Sequence, residues 1–459
     1  MKKNEFAYEQ KGVYDSDYKN KKDEIFAFAR DYKEFLNNSK TERLSVDNAV
    51  KIAVSHGFVP LGDKTGSNAG DKVYAVNRNK SVIFAVIGRE SMDRGVNIIA
   101  WHVDVPRLDL KANPLYEDMS LAMLKTHYYG GIKKYQWTAV PLALYGVVYK
   151  KDGGAVNISI GDSDDECVFT VTDLLPHLAG EQMKKTMSEG IEGEGLNLLF
   201  GSIPCGDEEI KERVKSNILT LLNQKYGICE RDFISAEISA VPAIAARDVG
   251  FDGSMIGAYG QDDRVCAYTS LRAICETEAP AKTAVCALVD KEEVGSAGNT
   301  GMKSRYFENF ITDLCEKTGA NIRACLSNSV CLSADVGAAC DPNYPSVFEK
   351  RNTAAIGGGV LLMKYTGSRG KSGSSDASAE LLIKIIRLFD SKRIPWQTGE
   401  LGKVDAGGGG TIAQYIANLD VETLDCGVPI LSMHSPFEIA SKADIYVAYE
   451  AYKAFILQP

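Results

Sequence analysis

The spacing of apolar and polar positions predicts a helical N-terminal region followed by buried strands. Over residues 23–58 the apolar positions recur with the period of an α-helix, with Ser45 as the expected N-cap of one helix and Gly57 as its end. Two runs rich in β-branched residues follow, at 72–88 and 97–105, with polar turn residues between them. The second run is apolar enough to predict a central strand of a sheet.

The pattern changes twice along the rest of the chain. Residues 106–240 are typical of antiparallel hairpins, most clearly at 129–161, with charged helical segments after them. From residue 241 onward, apolar strand-like runs alternate with helical segments, which indicates an α/β sheet with mostly parallel strands. We therefore predict an α/β fold in which residues 1–105 and 241–459 form a main domain. Its mixed, mostly parallel central sheet is flanked by helices, and a strand-rich domain is inserted at 106–240.

Composition narrows the class of protein. A chain of 459 residues is long enough for two or three cores, and its formal net charge of −9 argues against a general binder of nucleic acid or anionic membranes. No stretch approaches the roughly 18 apolar residues of a membrane span, and the first ten residues lack the apolar core of a secretory signal. The eleven cysteines contain no C-x-x-C pair and lie mostly in apolar contexts. We expect a cytoplasmic protein with reduced cysteines and with small molecules or proteins as partners.

Acidic residues and histidines stand where several predicted strands end. In an open α/β sheet the functional site lies beyond the carboxyl ends of the strands, so these side chains are expected to meet at one edge. The chain has only five histidines, and two of them belong to this set. The residues at strand ends are His102, Asp104, Glu292, Glu293, Asp335 and His434, and Asp262 and Asp263 stand just before a predicted helix.

Each of these signals has an ordinary structural explanation when it is taken singly. A histidine at a strand end more often makes a hydrogen bond than binds a metal, an Asp pair before a helix usually caps it, and a Glu pair usually lies in a solvated turn. Their joint occurrence favours a metal site over these separate structural explanations, because carboxylates gathered in one cleft repel one another unless cations compensate. Two histidines with several carboxylates suit two divalent metal ions per chain, most naturally zinc, with cobalt or manganese as alternatives.

The adjacent carboxylates of Glu292 and Glu293 fit a division of labour at such a site. Two metal ions about 3.5–4 Å apart polarise a carbonyl group and lower the pKa of a bridging water. One glutamate would bind metal, and the other would take the proton of that water as a general base. A carboxylate near a metal-bound imidazole, such as Asp104 near His102, orients the ring and raises its basicity.

Eight short motifs follow one another in order between about residues 100 and 440. They are AWHVDVPRLDLK, YGG, PHLA, GQDDRV, DKEEVGS, SADVGAACDPNY, GGGTIA and MHSPFE. Together they resemble the aspartyl aminopeptidases, a family of cytosolic dizinc exopeptidases. The resemblance implies that Glu292 is the general base and that Asp104 is the supporting acid. The metal ligands that it implies are His102, Asp263 as the bridge, Glu293, Asp335 and His434.

The resemblance also implies an architecture. Members of that family have a catalytic α/β domain interrupted by a smaller dimerisation domain, and they assemble from dimers into tetrahedral dodecamers. A loop from a neighbouring subunit helps to complete each site, and His177 in PHLA is the candidate for it, although Glu181 stands near the place of a second family histidine. Lys364 is the nearest match to a family lysine that pairs with acidic substrate side chains. We expect the glycine- and serine-rich stretch 367–378 to be a flexible loop that faces substrate.

These observations predict a metal-dependent aminopeptidase. It would hydrolyse the N-terminal residue from peptides that have a free N-terminus, through a hydroxide that bridges the metals and a glutamate general base. A preference for acidic N-terminal residues is a further expectation from the resemblance. Two alternatives remain: a dizinc deacylase or carboxypeptidase that acts on another amide, and a non-catalytic oligomeric shell protein.

Overall fold

A computed structural model of the chain describes residue 4 and residues 6–62, 66–163 and 165–458, which fall into two compact units. The first unit comprises Met1–Asp104, Ala246–Met433 and Glu438–Pro459, and the second comprises Val105–Ala245 and His434–Phe437. The insertion predicted at 106–240 lies inside the second unit. The short segment His434–Phe437 was not expected there, because nothing in its own residues marks it as part of that unit.

The helices and strands are numbered in chain order. The helices are α1 (Lys22–Asn37), α2 (Glu42–Ser55), α3 (Arg213–Tyr226), α4 (Gln261–Cys275), α5 (Tyr306–Thr318), α6 (Ile322–Ser327), α7 (Ala379–Ser391), α8 (Ala413–Ala417) and α9 (Lys442–Ile456). The strands are β1 (Val59–Pro60), β2 (Lys72–Asn77), β3 (Ser81–Val86), β4 (Asn97–His102), β5 (Arg107–Asp118), β6 (Leu121–Tyr129), β7 (Leu142–Tyr149), β8 (Ala155–Ile160), β9 (Thr170–Val171), β10 (Leu198–Gly201), β11 (Ala236–Pro242), β12 (Arg247–Val249), β13 (Met255–Ala258), β14 (Ala284–Val289), β15 (Val330–Ser333), β16 (Gly337–Ala338), β17 (Val360–Met363), β18 (Gly367–Ser368), β19 (Trp396–Thr398), β20 (Gly408–Gly409), β21 (Glu422–Gly427), β22 (Pro429–Leu431) and β23 (Glu438–Ser441). Within the described part of the chain, none of the helices has both the length and the apolar composition needed to cross a membrane.

A nine-stranded sheet runs through the first unit in the order β1-β2-β3-β14-β4-β15-β21-β17-β19. Strands β14, β4, β15 and β21 run parallel to one another, whereas β3 is antiparallel to β14 and β17 is antiparallel to β21. Every residue of β3, β4, β14 and β15 is buried, as expected for apolar strands covered on both faces. The predicted α/β class with a mixed, mostly parallel sheet is confirmed.

Helices cover both faces of this sheet. Successive residues of a strand point to opposite faces, so Ile99 and Trp101 of β4 enter one apolar core while Ile98 and Ala100 enter another. The first core also contains buried residues of α1, α2, α4, α7 and α9, and the second contains buried residues of α5, α6 and α8. The sheet is therefore the middle of three layers, and the ends of its strands are the places left for a site.

The second unit is built on an antiparallel seven-stranded sheet in the order β8-β7-β11-β5-β6-β10-β9. Strands β7 and β8 form a hairpin in which Leu144 is paired with Ile160 and Tyr149 with Ala155. This hairpin lies in the stretch where the sequence pattern predicted antiparallel hairpins. Helix α3 follows in the segment predicted to be helical. A dimerisation role for this unit stays a prediction.

A small sheet of five strands in the first unit, ordered β12-β13-β23-β22-β16, was not predicted. Residues 426–435 are a single, largely apolar run in the sequence, but β21 ends at Gly427 in the large sheet and β22 pairs in the small one. Pro429 has no N–H with which to continue the ladder of β21, so the chain changes sheets there. This small sheet matters for the site because β13 leads directly towards α4.

The start of α2 also differs from the prediction. Its N-cap is Thr41, whose hydroxyl accepts the N–H of Leu44 at 3.4 Å. Ser45, the predicted N-cap, lies inside the helix, and its hydroxyl donates to the carbonyl oxygen of Ser39 at 3.2 Å. Serine and threonine are both favoured at N-cap positions, so residue type alone does not decide which of the two takes the cap.

Candidate metal centre

His102 is the last residue of β4, and its imidazole is buried. Its Nδ1 lies 3.0 Å from the backbone carbonyl oxygen of Asp104 and 3.4 Å from Oδ1 of the same residue. On the other side of the ring, Nε2 lies 3.1 Å from Oδ1 of Asp262 and 3.7 Å from Oδ1 of Asp335. An imidazole that donates from Nδ1 presents its Nε2 lone pair to a cation held among these carboxylates.

His102, Asp262 and Asp335 form a buried group whose potential ligand atoms all lie within 4.8 Å of one another. The register of the sheet explains part of this arrangement. Strands β4 and β15 are parallel and pair Ala100 with Ser333, so Asp335 follows its strand at the level of His102. Asp262 comes from the first turn of α4. One imidazole nitrogen and two carboxylates at this spacing are a donor set that zinc binds in proteins.

Asp104 fixes the backbone of the two adjacent glutamates. Its Oδ1 accepts the N–H of Glu292 at 3.0 Å, and its Oδ2 accepts the N–H of Glu293 at 3.1 Å. The glutamates begin a short 3₁₀ helix, Glu292–Val294, so this carboxylate satisfies N–H groups at a helix start. Asp104 thereby ties the end of β4 to the glutamates that follow β14.

The two glutamates occupy different places. A carboxylate oxygen of Glu293 lies within 4.8 Å of one of Asp262, so Asp262 belongs to two groups of potential ligand atoms. Glu292 is in neither group. Burial raises the pKa of Glu292 to about 8, with His102 opposing the shift and Asp335 adding to it. A carboxylate with a pKa in this range can accept and release a proton near neutral pH.

The aspartate pair is the point at which the geometry departs from the ligand set taken from the resemblance. Asp262 has φ −81° and ψ 107° while Asp263 has φ −115° and ψ 33°, so the two side chains leave the backbone in different directions. The Asp263 carboxyl is buried near Cys266, where burial, with Asp335 adding to it, raises its pKa well above the usual value. Of the two aspartates, Asp262 is therefore the one that lies among the potential ligand atoms, and Asp263 as the bridge stays a prediction from the resemblance. Sequence could not choose between two identical neighbours.

The electrostatics of the cluster fit a cation. Burial opposes the charging of His102, but its hydrogen bonds to Asp104, Asp262 and Asp335 prevail and hold its pKa well above the usual value. Burial also raises the pKa of Asp335, with His102 acting against the shift. A cluster of this kind retains protons that a divalent cation displaces on binding. The residues present therefore suit a metal by both donor chemistry and charge.

His434 belongs to the second unit. The sequence pattern predicted His434 at a strand end, but β22 already ends at Leu431. His434 itself has a φ of 64°. Its Nδ1 lies 2.8 Å from the carbonyl oxygen of Gly131, within the same unit. A neutral ring that donates from Nδ1 to this carbonyl would bind a metal through Nε2. The role of His434 as a zinc ligand stays a prediction from the resemblance.

The two residues suggested for substrate binding are exposed. His177 lies in the 3₁₀ helix Pro176–Leu178 of the second unit. Lys364 follows β17 in the first unit and lines a cavity of about 210 Å³. Strand β17 runs antiparallel to β21 with Met363 opposite Asp425, so the chain at Lys364 heads away from the sheet edge that holds the strand-end carboxylates. The register does not bring Lys364 to the buried group.

One further buried carboxylate lies next to Asp262. Oε2 of Glu438, at the start of β23, accepts the backbone N–H of Asp262 at 3.0 Å. In the sequence this glutamate is the last residue of MHSPFE, and the pattern predicts no role for it. A carboxylate at the end of a motif gives no indication of which backbone group it will meet.

Comparison with known proteins gives one consistent result. Residues 35–456 match the model of a family described as aminopeptidase I zinc metalloprotease (M18). A probable M18 family aminopeptidase 1 of Clostridium acetobutylicum is 51% identical over 461 residues, which cover 99% of this chain and 99% of that one. The crystal structure of an M18 family aminopeptidase from Thermotoga maritima is 45% identical with a TM-score of 0.95, over 99% of this chain and 100% of that one. The mApe1 dodecamer of S. cerevisiae, 19% identical with a TM-score of 0.76, covers 95% of this chain and 97% of that one and shares the fold.

Proposed function

The chain belongs to the M18 family of aminopeptidase I zinc metalloproteases, and on that premise we propose that it removes N-terminal residues from peptides at the strand-end cluster of the first unit. Family membership makes it a zinc-dependent aminopeptidase. The proposal concerns the residues that carry out the reaction. It rests on the buried group of His102, Asp262 and Asp335, beside the glutamate pair that Asp104 holds in place.

We propose that His102 and Asp335 would hold one zinc ion, that Glu293 would hold the other, and that Asp262 would serve both. The resemblance adds His434 as a further ligand. The shared position of Asp262 supports this division, because its carboxylate lies within reach of the potential ligand atoms of His102, Asp335 and Glu293. Neutral imidazoles and ionised carboxylates are the forms that bind zinc, so loading the site releases the protons that the cluster retains.

Zinc at these residues supplies a Lewis acid that polarises the substrate carbonyl and lowers the pKa of water. Glu292 accepts the proton of the attacking water and returns it to the leaving amine, since its raised pKa makes both protonation states accessible near neutral pH. Asp104 keeps the His102 ring in one orientation and holds both glutamate N–H groups. Ligand and base therefore stay in fixed positions relative to each other.

A substrate panel tests this assignment. It comprises aminoacyl amides and peptides, free or acetylated at the N-terminus, offered to metal-stripped protein resupplied with zinc, cobalt or manganese. Cleavage that metal restores and that requires the free amine supports an aminopeptidase. Cleavage of the acetylated members would indicate the alternative of a dizinc deacylase, and release of the C-terminal residue would indicate a carboxypeptidase. Two bound metals per chain without cleavage of any member would favour a non-catalytic shell protein.

A preference for acidic N-terminal residues is a proposal that rests on Lys364. Its exposed side chain lines a cavity large enough for one amino-acid side chain, although its strand heads away from the edge that holds His102. Ranking aspartyl, leucyl and lysyl amides with the wild type and with Lys364→Ala separates the outcomes. A preference for aspartyl amide that disappears in the variant supports the role of Lys364. The same ranking of the three amides in the wild type and the variant contradicts a role of Lys364 in substrate preference.

We further propose a homo-oligomer built from dimers, up to the dodecamer described for the S. cerevisiae protein. Its support in this chain is a stretch of the second unit that exposes large apolar side chains at Leu174, Leu175, Leu178, Met183 and Met187. Large apolar side chains exposed together in one stretch are a feature of protein interfaces. Light scattering at micromolar concentration should give a mass that is a multiple of the dimer, and a stable monomer would contradict the proposal. The cytoplasmic location stays a prediction.

A further inference from the structure

We infer that Glu438 is the positioning residue for Asp262, the carboxylate that the two zinc ions would share. The inference rests on the proposed function above and extends it to a residue with no ligand role of its own. Glu438 is completely buried, and its Oε2 accepts the backbone N–H of Asp262 at 3.0 Å. A hydrogen bond to the main chain of a ligand controls the direction in which the ligand side chain leaves the backbone.

The start of α4 shows why such a partner is needed. Its N-cap is Gly260, with φ 75°, which offers no side-chain acceptor to the first N–H groups of the helix. Asp262 is the second residue of α4 and has extended backbone angles, and the N–H groups of a first turn have no acceptor within the helix. A buried N–H without an acceptor destabilises the conformation that leaves it so. The Glu438 carboxylate supplies that acceptor from another element.

Glu438 is held at this corner by the small five-stranded sheet. It begins β23, which is antiparallel to β13 and pairs Glu438 with Ala258. The main chain of Glu438 is fixed as well, because its carbonyl oxygen accepts from Nε2 of Gln261 at 2.6 Å. The same Nε2 donates to the carbonyl oxygen of Ile256 at 3.1 Å. The register of β13 with β23 therefore sets where the carboxylate meets Asp262.

The charge of Glu438 has a nearby counterpart. Arg264 is buried two residues after Asp262, and although burial lowers its pKa, the neighbouring acidic groups of Tyr259, Glu42 and Glu438 act in the opposite direction. A buried carboxylate is tolerated when it is hydrogen-bonded and faces a cation. A hydrogen bond to a carboxylate is stronger than one to a neutral amide, so a carboxylate is the better acceptor for the N–H of Asp262.

Glu438→Gln and Glu438→Asp separate this role from a merely structural one. Glutamine keeps the size of the side chain at position 438 but removes its charge. Aspartate keeps a carboxylate there, but its chain is one methylene shorter, so the carboxylate lies farther from the N–H of Asp262. The matched control is Asp444→Asn, because Asp444 is also a buried carboxylate of the first unit that accepts two backbone N–H groups, from Gly357 and Gly359. Zinc affinity is measured at buffered free zinc, and amide hydrogen exchange of residues 259–263 is measured on metal-free protein.

We expect both Glu438 variants to bind zinc about 10- to 100-fold more weakly, which is the usual effect of losing a group that orients a ligand. We also expect faster exchange of the Asp262 amide in both. Asp444→Asn should lose thermal stability but keep zinc affinity within about twofold of the wild type. Should Glu438→Gln fail to fold, Glu438→Asp decides the question.

Two outcomes separate failure of this inference from failure of the proposed function. Glu438 variants that bind zinc as tightly as the wild type, or that lose affinity no more than Asp444→Asn, overturn the inference alone. Wild-type protein that binds no zinc at buffered concentrations overturns the ligand assignment, and the inference with it.

Discussion

The strand-end cluster of the first unit and the exposed stretch 174–187 of the second unit are built in opposite ways. In the cluster, His102 and Asp104 are buried. The ring of His102 contacts the carbonyl oxygen of Asp104, and the Asp104 carboxylate accepts two backbone N–H groups of the same chain. In the exposed stretch, Leu178 and Met183 present 69% and 80% of their surface to solvent. The first region is held in place by its own sheet, whereas the second offers apolar area to another molecule.

This contrast separates two kinds of function. Metal binding and proton transfer need groups held to within about 0.5 Å, which rigid strand ends and helix starts provide. Assembly and contacts between subunits need accessible surface, and loops and short 3₁₀ helices provide it. Substitutions in the buried cluster should therefore change chemistry or metal content strongly, and substitutions in the exposed stretch should change them weakly.

The largest effect is expected for Glu292→Gln. The variant loses the general base while its shape and its N–H bond to Asp104 remain, so kcat should fall by about 10³. Zinc content should stay at the wild-type value, because Glu292 is in neither group of potential ligand atoms. Turnover of an aminoacyl amide and elemental analysis of the same sample measure the two quantities.

The neighbouring Glu293→Gln is the matched control for this test. It makes the same chemical change one residue away, but Glu293 lies among the potential ligand atoms around Asp262, so zinc should be lost together with activity. A Glu292→Gln enzyme that retains more than about a tenth of wild-type kcat would contradict the assignment of the base, since removal of a general base typically costs at least 10² in rate.

The next effect, on metal affinity, distinguishes the adjacent aspartates. Asp262→Asn should weaken zinc binding by about 100-fold or more, because the removed charge is shared by both groups of potential ligand atoms. Asp263→Asn should change it by less than about tenfold, since burial already favours the neutral form of that carboxyl and asparagine matches its shape. Competition with a coloured chelator measures both. The reverse order of effects would restore Asp263 as the bridge.

Sequence predicts the parts of this molecule that depend on local pattern. The buried strands β4, β14 and β15 follow from continuous apolar runs, and parallel neighbours place the residues after them at one edge. The apolar runs and their parallel arrangement are therefore enough to predict that His102 and Asp335 meet. The aminopeptidase class follows from the ordered motifs, and the family comparison confirms it.

The remaining details depend on backbone geometry that residue identity does not encode. Asp262 and Asp263 have the same side chain, and only their different φ and ψ angles decide which one faces His102. Glu438 meets Asp262 through the register of two short strands, whose pairing is too short to leave a periodic signal. His434 belongs to a four-residue segment that packs with the second unit, although its sequence neighbours lie in the first.

The smallest effect is expected in the exposed stretch, from His177→Ala. If His177 contacts the substrate in a neighbouring subunit's site, as the resemblance implies, its removal costs about one hydrogen bond, or roughly a two- to tenfold loss of kcat/KM. Zinc content should not change. His127→Ala is the matched control, because His127 is also an exposed histidine of the second unit but lies in β6. The values of kcat/KM above and below the protein concentration at which the oligomer dissociates show whether His177 acts in its own subunit or in a neighbouring one. A loss seen only in the assembled enzyme supports a contact between subunits, and an equal loss in dissociated chains contradicts it, because His177 would then act within its own chain.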